Sequence, residues 1–222
     1  MKQERAVRTR QSLIRSAAEA FERHGYVQAR LADISSSVGV TPGALHFHFE
    51  NKAAVAATVE DTAAVLLRRA ARAAQRSGTS PLQQLVSTSH ALADQLRNDV
   101  VARAGYQLSC EAPHGSGLDL RQEWHSCVGR LLEEAAEQGL LADDVPLADM
   151  VTSVTAATTG LEVLGRGDPD WLSPVSVAGF WRLMLPRLAT AETLAAVDPE
   201  PGAPQRTRRE GRRPAGAHRA GT

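Results

Sequence analysis

Helical periodicity runs through most of the 222-residue chain, and this restricts the possible folds more than any other feature. Apolar residues recur three and four positions apart, as in Leu31, Ile34 and Val38, whereas the alternation typical of strands is hard to find. The sequence therefore predicts an all-α protein with three short helices followed by about six longer ones. The predicted helices are 7–24, 31–38, 41–48, 52–75, 82–97, 100–110, 119–138, 146–164 and 173–189.

The short helices carry clear start and stop signals. Gly39 ends the second helix because glycine tolerates a positive φ. Thr41 then supplies a capping hydroxyl, and Pro42 suits the first helical position. Asn51 can cap the fourth helix. Three helices with a tight turn at Gly39 predict a helix-turn-helix unit whose recognition helix begins at Thr41.

Charge is distributed unevenly, although 25 basic and 25 acidic side chains make the whole chain neutral. Residues 1–52 hold eight basic and five acidic side chains, residues 53–197 hold eleven and seventeen, and residues 198–222 hold six and three. A basic head thus precedes an acidic body, which weakly favours a polyanionic partner at the head. Residues 198–222 contain no apolar side chain larger than alanine and are predicted to be disordered.

Composition and motifs disfavour several classes of protein. No apolar run approaches the ~18 residues of a membrane span, so no membrane association is expected. Two cysteines are too few for a disulfide framework, which favours a reducing cytoplasm. The chain has no nucleotide-binding glycine loop, no nucleophile elbow and no metal-ligand spacing. We therefore predict neither an enzyme nor a cofactor or metal site.

Four segments of the head form a pattern with fixed spacing: 21–26 (FERHGY), 31–34 (LADI), 38–49 (VGVTPGALHFHF) and 51–52 (NK). With these segments the head resembles the N-terminal domain of TetR-family transcriptional repressors. The resemblance implies a recognition helix in the DNA major groove. The positions that match the family's DNA contacts are Thr41, Pro42, Gly43, His46, Phe47, His48 and Lys52. A basic arm precedes them and is expected to bind backbone phosphates or a minor groove; it consists of Lys2, Arg5, Arg8 and Arg10.

Two positions of the recognition helix depart from the family pattern. Relatives commonly have a lysine at the position of Pro42 and a tyrosine at the position of His46. Proline removes a positive charge and an N–H that could meet the DNA. Histidine can still donate to a phosphate, but it is shorter than tyrosine. We therefore expect altered base preferences rather than a lost helix.

The body resembles a subgroup of that family, the γ-butyrolactone receptors and pseudo-receptors that control antibiotic production in actinomycetes. The supporting segments are 1–5 (MKQER), 8–10 (RTR), 47–49 (FHF), 100–105 (VVARAG), 108–109 (LS) and 123–125 (EWH). The resemblance makes Trp124 the tryptophan of the ligand pocket.

A small lactone needs an apolar cavity with one or two hydrogen-bond donors. Trp124 would provide a flat wall and an N–H. The side chains predicted to join it are Tyr106, Gln107, Thr155, Thr158 and Thr159. A helical threonine more often bonds its own i−4 carbonyl, which is the competing interpretation for each threonine.

The last two predicted helices, 146–164 and 173–189, are rich in large apolar side chains. Such helices suit a dimer of four packed helices, which is also the family's arrangement. We predict a homodimer that binds a pseudo-palindromic double-stranded operator and is released by a γ-butyrolactone-like signal. Its domains would be a DNA-binding domain (1–52), a ligand-binding and dimerisation domain (53–197) and a tail (198–222). Alternatives are a pseudo-receptor for antibiotics or other hydrophobic ligands, and a ligand-binding protein without DNA activity.

Overall fold

The structure, a computed structural model, describes residues 2–111 and 116–201, with side chains from residue 4 onward. In these ranges the chain folds into ten α-helices and one 3-10 helix. The α-helices are α1 (Lys2–Gln28), α2 (Leu31–Ser37), α3 (Pro42–His48), α4 (Lys52–Ser77), α5 (Pro81–Asn98), α6 (Val100–Glu111), α7 (Leu120–Glu137), α8 (Leu147–Gly165), α9 (Pro174–Leu188) and α10 (Ala191–Ala196). The 3-10 helix is Pro169–Leu172. None of these helices is both long and apolar enough to cross a membrane.

Local signals place the head helices as predicted. Gly39 has a φ of 72° between α2 and α3. Thr41 caps α3 by accepting a hydrogen bond from the Ala44 N–H at 3.2 Å, and Asn51 caps α4 by accepting from the Ala54 N–H at 2.9 Å. The predicted start of α1 at about residue 7 was wrong, because the helix begins at Lys2. The basic residues expected in a mobile arm therefore belong to a helix.

Two hydrophobic clusters form the interior. The head cluster contains Phe21, Ile34 and Leu45, but also Val59 of α4 and Val101 of α6. The second cluster fills the body around α5, α7, α8 and α9. The core of the head thus extends past residue 52 into helices that also belong to the body.

α4 and α6 cross in close contact at Gly105. A Cβ atom at this position would lie 2.4 Å from the Ala63 Cβ and 2.7 Å from the Val59 carbonyl oxygen. Both distances are far below ordinary contact, so the crossing requires glycine. The crossing holds α4, which begins directly after the helix-turn-helix unit, in a fixed position against α6.

The segment after α10 corrects the predicted boundary of the disordered tail. Val197 is buried in the body core. The Gln83 side-chain amide forms two hydrogen bonds with the backbone of Asp198. It accepts from the Asp198 N–H at 2.7 Å and donates to the Asp198 carbonyl at 3.1 Å. His90 lies 2.9 Å from the Pro199 carbonyl oxygen. Residues 198–201 therefore pack on α5, while residues 202–222 of the predicted tail lie outside the described residues.

Candidate DNA-binding surface and ligand cavity

The outward face of α3 is exposed along its whole length. Leu45 faces the core, whereas Thr41, Pro42, Gly43 and His46 are exposed and His48 is half-buried. Phe47 is 83% exposed, unusual for an aromatic ring that contributes nothing to the core. α3 carries no lysine or arginine. Its surface offers hydroxyl, apolar and imidazole contacts, so lysine and arginine contacts to phosphate have to come from neighbouring elements.

α1 brings basic side chains next to α3. The Arg10 guanidinium lies over the Phe49 ring, 5.4 Å from its centroid, and Phe49 follows α3 directly. Arg5 and Arg8 are exposed on the same helix. The Lys2 side chain lies outside the described residues. Of the predicted basic residues with described side chains, Arg10 therefore lies beside the end of the recognition helix, and Arg5 and Arg8 are exposed on the helix that carries it.

Lys52 is fixed at the junction of α1 and α4. Its ammonium donates to the Val27 carbonyl at 2.9 Å and lies 4.8 Å from the centroid of the Tyr26 ring. A lysine ammonium has three donors, so two remain for other acceptors. The predicted phosphate contact at Lys52 stays a prediction, and these contacts give the side chain a defined position.

The body contains an elongated cavity of about 230 Å³ with a mainly apolar wall. α4, α5, α6, α7, α8, α9 and the 3-10 helix contribute to it. Its solvent-facing edge carries an ion pair in which Arg68 of α4 donates to Glu123 of α7 through both Nε, at 2.9 Å, and Nη2. This cavity has the concave, apolar character of a small-molecule site.

Three contacts align α7 and α8 along the cavity. Arg121 Nη2 lies 3.8 Å from Glu162 Oε2. One turn further along α7, the Trp124 indole N–H donates to Thr158 Oγ1 at 2.8 Å. Another contact joins His125 and Thr155. Trp124, 8% exposed, therefore presents its ring to the cavity, but its N–H is already bonded within the protein.

The predicted ligand-binding residues divide into two groups. Tyr106, Trp124, Thr158 and Thr159 line the cavity, and Gln107 and Thr155 do not. Gln107 donates to Glu111 on its own helix at 2.8 Å. Neighbouring residues on a helix point about 100° apart, so the side of α6 that faces the cavity can take Tyr106 but not Gln107.

Burial changes the acid–base behaviour of two groups at the cavity. It raises the pKa of the Tyr106 hydroxyl, so that this group stays protonated. It also raises the pKa of the Cys127 thiol, which keeps that cysteine neutral. Both groups present uncharged surfaces to the cavity.

Sequence reasoning missed several lining residues. Thr88 and Ser89 come from α5, Arg68 from α4 and Glu162 from α8. Of these four residues, only Glu162 could have been predicted from the sequence, because it lies four residues after Thr158 and so shares its helix face. The others come from helices that the sequence does not place near Trp124.

Comparison with known proteins identifies the family. Residues 13–59 match the model for bacterial regulatory proteins of the tetR family. The A-factor receptor protein of Streptomyces griseus is 32% identical over 200 residues, which cover 90% of this chain and 70% of that protein. The chain belongs to the tetR family.

Solved structures of the tetR family extend the likeness through the body. A γ-butyrolactone receptor described as an ArpA-like protein has a TM-score of 0.74 and 26% identity, covering 86% of this chain and 94% of that chain. The TetR family protein CprB from Streptomyces coelicolor, in complex with its biological operator sequence, has a TM-score of 0.72 and 27% identity, with the same coverage. The predicted family and all-α fold are confirmed.

Proposed function

We propose that this tetR-family protein is a transcriptional repressor of antibiotic or secondary-metabolite genes, acting in the cytoplasm where operator DNA is found. It binds a pseudo-palindromic operator as a homodimer, and a small γ-butyrolactone-like molecule in the cavity releases it. The similarity to the A-factor receptor and to a γ-butyrolactone receptor supports the ligand class. The similarity to CprB in complex with its operator supports the DNA-binding role.

The course of α4 is the observation that carries the proposal. This helix begins at Lys52, directly after the helix-turn-helix unit, and its Leu67, Arg68 and Ala71 line the cavity. Any ligand that moves these residues also moves the start of the helix under the head. The ligand can act only through a higher affinity for the moved state, and a tenfold loss of DNA affinity needs ~1.4 kcal/mol.

The dimer surface is proposed to lie on α8 and α9. Val175 and Leu183 of α9 are 75% and 79% exposed, and Val163 and Leu164 of α8 are about half exposed. Other apolar residues of these helices, such as Trp181, are buried within the subunit instead. A second copy of the chain that covers these exposed side chains would form the homodimer. The two recognition helices would then have to lie about 34 Å apart, or a multiple of that distance, to enter successive major grooves.

Fluorescence anisotropy of DNA from upstream of the protein's own gene tests the DNA-binding half. Tight binding that exceeds binding to scrambled DNA and weakens steeply between two salt concentrations is expected. Phe47→Ala should weaken operator binding at least tenfold. Val65→Ala is the matched control, because Val65 is 64% exposed on α4, more than three helical turns after Lys52. Equal, weak binding to operator and scramble would refute the repressor.

The alternative ligands are those of a pseudo-receptor, namely antibiotics or other hydrophobic molecules rather than a lactone. An almost wholly apolar wall with the Trp124 N–H already bonded favours aromatic or other hydrophobic ligands as a second candidate. Release of the bound operator by γ-butyrolactones, compared with release by aromatic antibiotics, separates the two. An unchanged ligand response in Trp124→Ala would rule out this cavity as the sensor.

A further inference from the structure

Glu162 is the buried charged residue in the wall of a mainly apolar cavity, whereas Arg68, Arg72 and Glu123 of the same wall are not buried. It is 8% exposed, lies on α8 one turn after Thr158, and lines the same cavity as Tyr106. A buried carboxylate loses hydration and is retained only where other groups hydrogen-bond to it. Its unused bonding capacity therefore decides which polar group a ligand can place there.

Several hydrogen-bond donors of the wall are already used by the protein. The Thr158 hydroxyl donates to the Val154 carbonyl at 2.7 Å while accepting from Trp124. The Ser89 hydroxyl donates to the Val86 carbonyl at 2.7 Å. The Thr88 hydroxyl similarly donates within α5, at 2.6 Å. A ligand that offers only acceptor oxygens finds few partners among these groups.

The Glu162 carboxylate, in contrast, has free acceptor capacity. Arg166 donates to its Oε1 at 2.8 Å and to its Oε2 at 3.2 Å. Arg121 approaches Oε2 only to 3.8 Å. A carboxylate has about four lone-pair sites, so about two remain. Neither arginine lines the cavity, so Glu162 is the member of this charged cluster that a ligand there would meet.

Tyr106 completes the polar end of the cavity. It lines the cavity together with Glu162, and burial keeps its hydroxyl protonated, so this group can donate a hydrogen bond. Glu162 and Tyr106 together form a small polar end in which the charged member accepts hydrogen bonds.

We propose that Glu162 is a specificity-determining residue that selects ligands carrying a neutral hydroxyl or N–H donor at their polar end. The selected ligand is small and largely apolar, its apolar part lies against Trp124, and its donor binds the Glu162 carboxylate. This inference rests on the proposed function, because it names the ligand class of the same cavity. At this end a ligand carboxylate would meet the Glu162 carboxylate as a like charge, and an ether would offer it no donor, so both bind more weakly than a hydroxyl or N–H.

Three probes of matched shape test the proposal on the purified full-length protein. 4-Propylphenol has a donor, 4-propylanisole keeps the oxygen without its proton, and 4-propylbenzoate carries a negative charge. Binding is measured by isothermal titration calorimetry. We expect 4-propylphenol to bind at least tenfold more tightly than either of the other two, since hydrogen bonds to charged groups are the stronger kind.

Two variants assign the preference to Glu162. Glu162→Gln removes the charge and keeps the shape, and the preference for phenol over anisole should fall to threefold or less. Glu134→Gln is the matched control, because Glu134 also pairs with an arginine four residues away, Arg130, and lies outside the cavity lining. It should keep the wild-type preference. Thermal denaturation verifies that both variants fold.

Each other outcome overturns the proposal. Equal binding of phenol and anisole to the wild type removes the selection by a donor. Tightest binding of the benzoate places the polar end elsewhere, at the exposed Arg72 that also lines the cavity. If the preference for the phenol survives Glu162→Gln, another group of the protein causes it. If no probe binds, the cavity is not a binding site for this class of ligand. Operator binding is measured separately, so failure here differs from failure of the repressor.

Discussion

Replacing Gly105 by alanine should force α4 and α6 apart. The new Cβ would lie 2.4 Å from the Ala63 Cβ, whereas carbon atoms in contact are ~3.5–4.0 Å apart. The helices must therefore separate by about 1 Å, and the Val59 carbonyl at 2.7 Å leaves little freedom to adjust sideways. Overpacking of this kind costs about 1–3 kcal/mol, which lowers the Tm of a chain of this size by roughly 2–12 °C.

A matched glycine in the same protein should give the opposite sign. Gly129 lies inside α7, and a Cβ atom added there would have nothing within 4 Å. Gly129→Ala should stabilise the protein by ~0.5–1 kcal/mol, because alanine loses less backbone entropy in a helix. Both variants are compared by thermal denaturation at equal protomer concentration, since dimerisation affects Tm. A Gly105→Ala protein within about 0.5 kcal/mol of wild type would refute the close crossing.

Three further substitutions test the connections between elements. Arg103→Met removes hydrogen bonds to Glu22 and to two carbonyls at the end of α5. Chemical denaturation should show that the free energy of unfolding falls by ~1–3 kcal/mol in this variant and by ~0–1 kcal/mol in Glu22→Gln. Equal decreases in the two variants would contradict the role of the carbonyls. Arg68→Met opens the ion pair at the cavity edge and should speed 4-propylphenol association in stopped-flow fluorescence, and an unchanged rate would contradict it. Burial lowers the pKa of His90 beside the Pro199 carbonyl, so the folded protein binds this proton less readily than the unfolded chain. Stability is then complete above pH ~6.5 and is lost as pH falls through the lowered pKa, and His90→Gln should flatten the fall in Tm on acidification.

The head was predictable because its signals are local. Gly39, Thr41 and Asn51 act on helix ends within three residues of themselves, and the structure bears out all three. The start of α1 was missed because residues 2–6 carry no cap or periodic apolar face, and their helix continues from the turns that follow. Local chemistry thus predicts a helix end that carries a cap or a turn glycine better than one that carries neither.

The cavity was predictable only in part, because its wall is assembled from distant residues. Trp124 and Thr158 are 34 positions apart, and nothing local shows that the threonine takes the indole N–H. The packed residues after Val197 were likewise missed, since Gln83, which holds Asp198, lies 115 positions earlier. Periodicity gives the face of each helix but not the partner that the face meets.

Leu96 joins the cavity to the head by a second connection, besides α4. Its side chain lines the cavity, and its carbonyl accepts from Arg103 Nη1 at 3.1 Å. Arg103 Nε in turn donates to Glu22 of α1 at 2.6 Å. A ligand that displaces α5 must shift α1 or break these bonds. The partly exposed Arg103–Glu22 contact is the weaker of the two and is worth ~0–1 kcal/mol, so this connection can transmit at most about a fivefold change in DNA affinity before it breaks. A larger response to ligand has to pass through α4 or α6, whose backbones are continuous from the cavity lining at Leu67 and Tyr106 to the head cluster at Val59 and Val101.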